Sequence, residues 1–268
     1  MSLLQVAHLA KSFGGNRAVD GVSFEVAAGE LLALIGPNGA GKTTTFNIVG
    51  GQLRADAGSV RLCGVDGVDG VGGVGGVELR GKTPRAIWRL GVGRTFQIAA
   101  TFASLTVVEN VQMALLSADA KLYALWPRAA AHKRAQALAL LDQVGMHAQA
   151  DRPCSALAYG DVKRVELALA LAHAPRLLLM DEPTAGMATS ERHALMALTR
   201  RLVAERGMAV LFTEHSMDVV FGHADRVLVL ARGRVIANGT PAQVRADAQV
   251  QAVYFGSGKT FERPAVAP

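Results

Sequence analysis

The sequence predicts an α/β fold: a strand-and-helix lobe at residues 1–97 and 174–240, a mainly helical insertion at 98–173, and a C-terminal extension and tail at 241–268. Three observations predict it. Short apolar or alternating runs occupy the two ends, helical periodicity occupies the middle, and one strand-to-helix junction holds a glycine-rich loop ending in Lys-Thr.

In chain order, residues 3–9, 22–26, 31–35 and 59–63 read as strands, and 42–49 as the helix after the glycine-rich loop. Helical spacing marks 106–117, 129–144, 161–172 and 190–205. Strands resume at 177–180, 209–213 and 227–230, and the Arg232-Gly233 turn makes 234–237 a hairpin partner. The repeat GVDGVDGVGGVGGV at 64–77 is too short and too rich in glycine for a solenoid. It has neither a lysine nor a following helix, so it is expected to be a flexible, dispensable loop rather than a second phosphate cradle. The tail at 256–268 is expected to be loosely ordered, and its GSGKT string lacks the first glycine and the helix that would give it meaning.

Half of the 268 residues are apolar, enough for a sizeable core. The two cysteines, Cys63 and Cys154, stand far apart with no histidine cluster, which argues against a disulfide framework or a zinc site and for a reduced, cytosolic setting. The opening MSLLQVAHLAKSF lacks the pattern of a secretion signal. Its richest apolar stretch, 165–180, is broken by Glu166, His173, Pro175 and Arg176, so no segment reads as a membrane span. A net charge of +6 suits an anionic partner. Scattered basic residues and only 5% aromatics argue against a nucleic-acid surface.

GPNGAGKT fills the eight positions 36–43 of the phosphate-loop pattern, after the strand LLALI and before the helix TTTFNIV. Gly36, Pro37, Asn38, Gly39, Ala40 and Gly41 form the loop, whose backbone N–H groups point at an anion together with the positive helix end. Lys42 reaches the β- and γ-phosphates, the Thr43 hydroxyl ligates Mg²⁺, and Thr44 adds a hydroxyl on the α-phosphate side. An ordinary Gly/Pro turn before a helix would leave Lys42 unexplained. Later, LLLMDEP ends an apolar strand in two carboxylates that face opposite sides, so they can do different jobs. Asp181 is expected in the magnesium shell, and Glu182 is expected to polarise the attacking water.

These residues, in this order, resemble the ABC-transporter ATPases, over nearly the whole chain from Leu3 to Gly256. The resemblance implies a phosphate-loop, RecA-like core with an antiparallel β subdomain and an inserted α-helical subdomain. It implies ATP and Mg²⁺ as ligands. Gln97 in GVGRTFQ matches the glutamine that touches Mg²⁺ and the attacking water, and His215 in FTEHSMD matches the switch histidine. Phe13 in KSFGG holds the place of the aromatic that stacks on adenine, and 185–188 holds the place of the D-loop. Leu157, Ala158, Tyr159, Gly160 and Asp161 look like the signature, which in this family caps the γ-phosphate of ATP held by a second subunit. Ala158 and Asp161 depart from its commonest form, Leu-Ser-Gly-Gly-Gln; Asp161 is expected to repel the partner's nucleotide, and Lys163 and Arg164 to offset that repulsion.

The resemblance also implies partners: a second ATPase subunit, two membrane-spanning permease subunits and a separate solute-binding protein. The chain is then peripheral, at the cytoplasmic face of the inner membrane, with residues 98–130 meeting a cytoplasmic helix of the permease. GVGRTFQ, LAYG, AGM after DEPT, EHSMD and the ending ANGTPAQVRADAQVQAVYFG are similar to the ATPases of branched-chain amino-acid importers. Systems for urea, amides or aromatic acids, and exporters of lipid or lipopolysaccharide, have similar cassettes. A soluble ABC protein of repair or translation is disfavoured by the single cassette without long insertions, and a phosphate-loop kinase has no need of the signature or His215.

Overall fold

The computed structural model describes residues 2–64, 76–95, 101–118 and 133–255. Two β-sheets share one apolar layer. In the first, β1 (Ser2–Phe13) and β2 (Asn16–Ala27) form an antiparallel hairpin, and β4 (Ala57–Cys63) and β5 (Gly76–Glu78) extend it in the order β2-β1-β4-β5. Leu4 and Val6 are buried two residues apart, but the next buried residue is Leu9. His8, at φ 50, lies in a register shift that restores the inward face after an odd step. Strand β5 corrects the reading of 64–77 as loop throughout: Val77 pairs with Leu62 and Gly76 with Cys63. Residues 65–75, which the repeat mostly comprises, lie outside the described residues, as does the tail at 256–268.

The second sheet has six strands in the order β10-β9-β3-β8-β7-β6. Its members are β3 (Leu31–Ile35), β6 (Val92–Thr95), β7 (Leu177–Asp181), β8 (Ala209–Thr213), β9 (Arg226–Ala231) and β10 (Arg234–Gly239). Only β10 runs antiparallel, as the partner of β9. The near-continuous apolar runs follow from burial on both faces. Leu32, Leu34, Leu177, Leu179, Leu211 and Leu228 face the first sheet and α1 (Lys42–Val49). Leu31, Ala33, Leu178, Met180, Phe212 and Val229 face the opposite core. Each fully buried leucine or phenylalanine contributes roughly 1.5–3 kcal/mol.

That second core is closed by α3 (Val107–Ala118), α4 (Arg134–Gln143), α5 (Tyr159–Leu171), α6 (Thr189–Arg206) and α7 (Met217–His223). Helix α3 starts on a reciprocal cap, in which Glu109 N–H donates to Thr106 Oγ1 at 3.3 Å and Thr106 N–H to Glu109 Oε2 at 2.8 Å. Helix α2 (Pro84–Arg89), after β5, has Thr83 as its cap and proline at its first turn. At the other end, α8 (Pro241–Ala246) is capped by Thr240 and Gln243, and α9 (Ala248–Phe255) buries Val250 against the same core. No helix among the described residues is long and apolar enough to cross a membrane.

Candidate active site

The glycine-rich loop links β3 to α1, and two of its glycines are required by close approaches. A Cβ on Gly36 would stand 2.2 Å from the Leu230 carbonyl oxygen. Gly41, the N-cap of α1, is left-handed at φ 99, and its Cβ would stand 2.4 Å from the Ala18 oxygen. The loop is therefore clamped between β9 and β2. Lys42 is buried and donates to the Gly36 and Pro37 carbonyls at 2.6 and 3.1 Å, using two of its three ammonium donors. Burial lowers its pKa, while Glu182 and Asp181 act to raise it.

A cleft of about 510 Å³ opens over the loop, lined among others by Asn38, Gly39, Lys42, Thr43, Thr44, Glu182, His215 and Phe13. Phe13 is half exposed, which excludes a core role for it. Asp181 ends β7, and its Oδ1 accepts a hydrogen bond from Thr213 Oγ1 at 2.7 Å. Glu182 lies one residue past the strand with φ 46, a left-handed conformation that costs a non-glycine residue about 1–3 kcal/mol. Its backbone N–H donates to Thr213 O and Oγ1, both at 3.1 Å, and this anchors the turn. The carboxylate then meets His215, Oε1 to Nε2 at 2.8 Å. Thus the carboxylates diverge as their adjacent positions predict, but the second is aimed by a turn rather than by strand alternation.

Three residues with evident parts in this arrangement, Glu214, Thr213 and Arg94, lie inside the sequence motifs but have no role there that sequence alone reveals. Buried Glu214 accepts from Thr184 Oγ1 at 2.5 Å, Thr184 N at 2.9 Å and His215 N at 3.0 Å, so one carboxylate holds both turns. Thr213 braces Asp181 and Glu182. Arg94 reaches Asp181 from β6. A buried acid next to the switch histidine was the available signal for Glu214; Arg94 gave none, because its partners lie far away in sequence.

Gln97 lies outside the described residues. The signature segment leads into α5, whose N-cap is Ala158, with no side-chain cap. Tyr159 is 46% exposed, and its ring lies 3.5 Å from where a Gly186 Cβ would stand, so the signature and D-loop positions abut. Among the described residues, none of 157–161 lines the cleft over the chain's own phosphate loop. One expectation is corrected. Lys163 turns inward and pairs with Glu166 at 2.9 Å, the side chains 3% and 5% exposed, so it does not offset the charge of Asp161. The helix period puts Lys163 on the buried face of α5, and an ammonium there requires a carboxylate partner.

Comparison with known proteins identifies the family. The "ABC transporter" family model matches residues 19–185, more than half of the chain, and a "Branched-chain amino acid ATP-binding cassette transporter" model matches 234–260. The chain is 36% identical over 261 residues to the high-affinity branched-chain amino acid transport ATP-binding protein LivG of Salmonella typhimurium, covering 95% of this chain and 98% of that one. It is likewise 36% identical over 256 residues to the lipopolysaccharide export system ATP-binding protein LptB of Haemophilus influenzae, covering 96% and 98%. Among solved structures, an ATP-binding cassette of an ABC transporter in its ADP conformation superposes with a TM-score of 0.82 at 30% identity, covering 96% of this chain and 99% of the other. A chain that matches this family over most of its length, and folds as its cassettes do, belongs to the ABC-transporter ATP-binding cassettes, the ATP-hydrolysing subunits of those transporters.

Proposed function

We propose that this chain energises import of branched-chain amino acids or closely related small solutes, with two cassettes hydrolysing ATP between them. One observation carries the chemistry: Glu182, held by His215 at 2.8 Å, faces the same cleft as Lys42 and the phosphate loop. In this reading Lys42 and the loop amides bind the phosphates, and Phe13 takes the adenine face. Glu182 orients a water and draws its proton as the water oxygen bonds to the γ-phosphorus and the bond to the β-phosphate oxygen breaks. Such assistance is worth ~10²–10⁴-fold. His215 keeps Glu182 pointed at that water. The hydroxyl of Thr43 and the carboxylate of Asp181 are hard oxygen donors that suit Mg²⁺, with Gln97 as a further ligand. When bound, that ion neutralises charge on the β- and γ-phosphates.

The division into a core at 1–97 and 174–240, a signature subdomain at 98–173 and an extension at 241–268 belongs to the same reading. It is supported by the placement of the buried apolar residues described within 98–173, which all join the core on one face of the second sheet and none the core on the other. The signature, absent from the chain's own cleft, serves the nucleotide of a second cassette. Because Lys163 is turned away, Asp161→Gln is expected to strengthen ATP-driven dimerisation in a Glu182→Gln background while leaving ATP binding by the single subunit unchanged. Sedimentation at two salt concentrations checks it, since screening shrinks the effect; equal or weaker dimerisation would contradict it.

Permease docking is assigned to a groove of about 790 Å³ between the core and the helical insertion. Trp88, Phe102, Met113 and Ala114 line it, and Phe102 is 59% exposed. Trp88 packs against His173 with ring centroids 4.5 Å apart, and burial pushes His173 down to about 4, so His173 adds no charge to the groove at neutral pH. The surface fits an amphipathic helix of the permease. A cysteine at Phe102 is expected to cross-link to a cytoplasmic permease helix in membranes; links only elsewhere on the chain would refute the placement.

The solute class rests on the match at 234–260 and on the likeness to ATP-binding proteins of branched-chain amino acid transport. The relative of lipopolysaccharide export, equally identical, supports an exporter as the second reading. Purifying the complex from solubilised membranes separates the two. ATPase stimulation by a binding protein loaded with leucine, isoleucine or valine supports the first; stimulation by lipopolysaccharide supports the second.

A further inference from the structure

Arg94 stands between the docking groove and the nucleotide cleft. It lines the groove, yet its side chain is only 14% exposed, and Nη2 approaches Asp181 Oδ2 at 3.4 Å. Two contacts draw the guanidinium toward the end of α1: Nη2 donates to Asn47 Oδ1 at 2.9 Å and Nη1 to Gln52 Oε1. The ring of Phe46 lies beneath it, 4.9 Å from the guanidinium carbon. The Asp181 carboxylate therefore has one oxygen on Thr213 and the other beside a fixed cation.

We propose that Arg94 is a positioning residue that acts as a counter-cation to Asp181, weakening divalent-cation binding at the nucleotide site. The inference rests on the reading of Asp181 as part of the metal shell. A positive charge beside that carboxylate lowers the local negative potential, so a dication arriving there is held less tightly. Burial lowers the Arg94 pKa while Asp181 opposes the fall, and an arginine stays protonated throughout the working pH range. The device has a signature that scaffolding lacks: removal of the charge makes metal binding stronger.

Mn²⁺ titration of the ADP-bound chain, followed by electron paramagnetic resonance, tests it, with ADP binding in EDTA as the metal-free control. Arg94→Gln is expected to bind Mn²⁺ about three- to thirty-fold more tightly, with metal-free ADP binding changed less than about twofold. Arg94→Lys, which keeps the charge, is expected to remain near the parent. Gln52 is on the surface, and Gln52→Ala loosens one tether without disturbing a core; it lets the guanidinium settle on Asp181, so Mn²⁺ binding is expected to weaken about twofold or more. Should Arg94→Gln fail to fold, the Gln52→Ala result decides. Asp181→Asn is expected to lose Mn²⁺ binding. If it does, yet Arg94→Gln binds Mn²⁺ equally or more weakly, or Gln52→Ala binds it equally or more tightly, the role of Arg94 is overturned. If Asp181→Asn changes nothing, the metal-shell reading itself fails.

Discussion

Glu182→Gln should retain ATP and lose at least about a hundredfold in single-turnover hydrolysis, whereas Lys42→Ala should lose nucleotide binding itself. The two side chains face one cleft but act at different steps. The glutamine preserves the size of the side chain and can still meet His215, so the Glu182 turn at φ 46 remains anchored by Thr213; only the ability to draw a proton is gone. ATP-bound dimers should therefore accumulate in the first variant and not in the second. Lys42 is already poised by two carbonyls of its own loop, and its removal takes a buried cation from the lining of the cleft. Hydrolysis by Glu182→Gln at the parent rate would show that another group draws the proton.

Gly41→Ala should be as damaging as removing Lys42, through geometry instead of charge. The added methyl would meet the Ala18 carbonyl at 2.4 Å, and the residue would have to keep φ 99. Backbone strain alone costs about 1–3 kcal/mol, and relief of the contact pushes β2 away from the loop. A fall in unfolding midpoint together with lost ATP binding is the expected result. Normal nucleotide affinity at unchanged stability would show that the loop has more room than its contacts indicate. Gly39 is a useful control, because a Cβ there meets nothing within 4 Å and only its φ of 78 opposes substitution.

The parts of the fold that were legible in sequence are those where local pattern and burial agree. Strands β3 and β8 and helix α1 fall where their apolar runs and the phosphate-loop pattern place them. Short or atypical elements were not legible. The strand β6, Val-Gly-Arg-Thr, carries a glycine and an arginine, and it becomes a strand because β7 supplies parallel pairing; Ala170 and Pro175 crowd Gly93, each with an atom 3.2 Å from where a Cβ would stand. Helix α7 is too brief to show a period, and β5 hid inside a glycine repeat. At the site, motifs identified the groups that face the cleft, but not the ones that aim them. Glu214 and Arg94 act through partners 30 and 87 residues away, a relation that no local pattern encodes.

The single carboxylate of Glu214 has a mechanical consequence. Its two oxygens hold Thr184 on one side and the amide of His215 on the other, without water-filled slack between them, since the residue is 3% exposed. Thr184 opens directly into the stretch Ala185, Gly186 and Met187, against which the signature tyrosine rests. The histidine arm that steadies Glu182 and the segment that abuts the signature thus share one degree of freedom. In the proposed two-cassette reading, a displacement imposed at Gly186 would be passed to His215 through this one carboxylate, like a force along a crank.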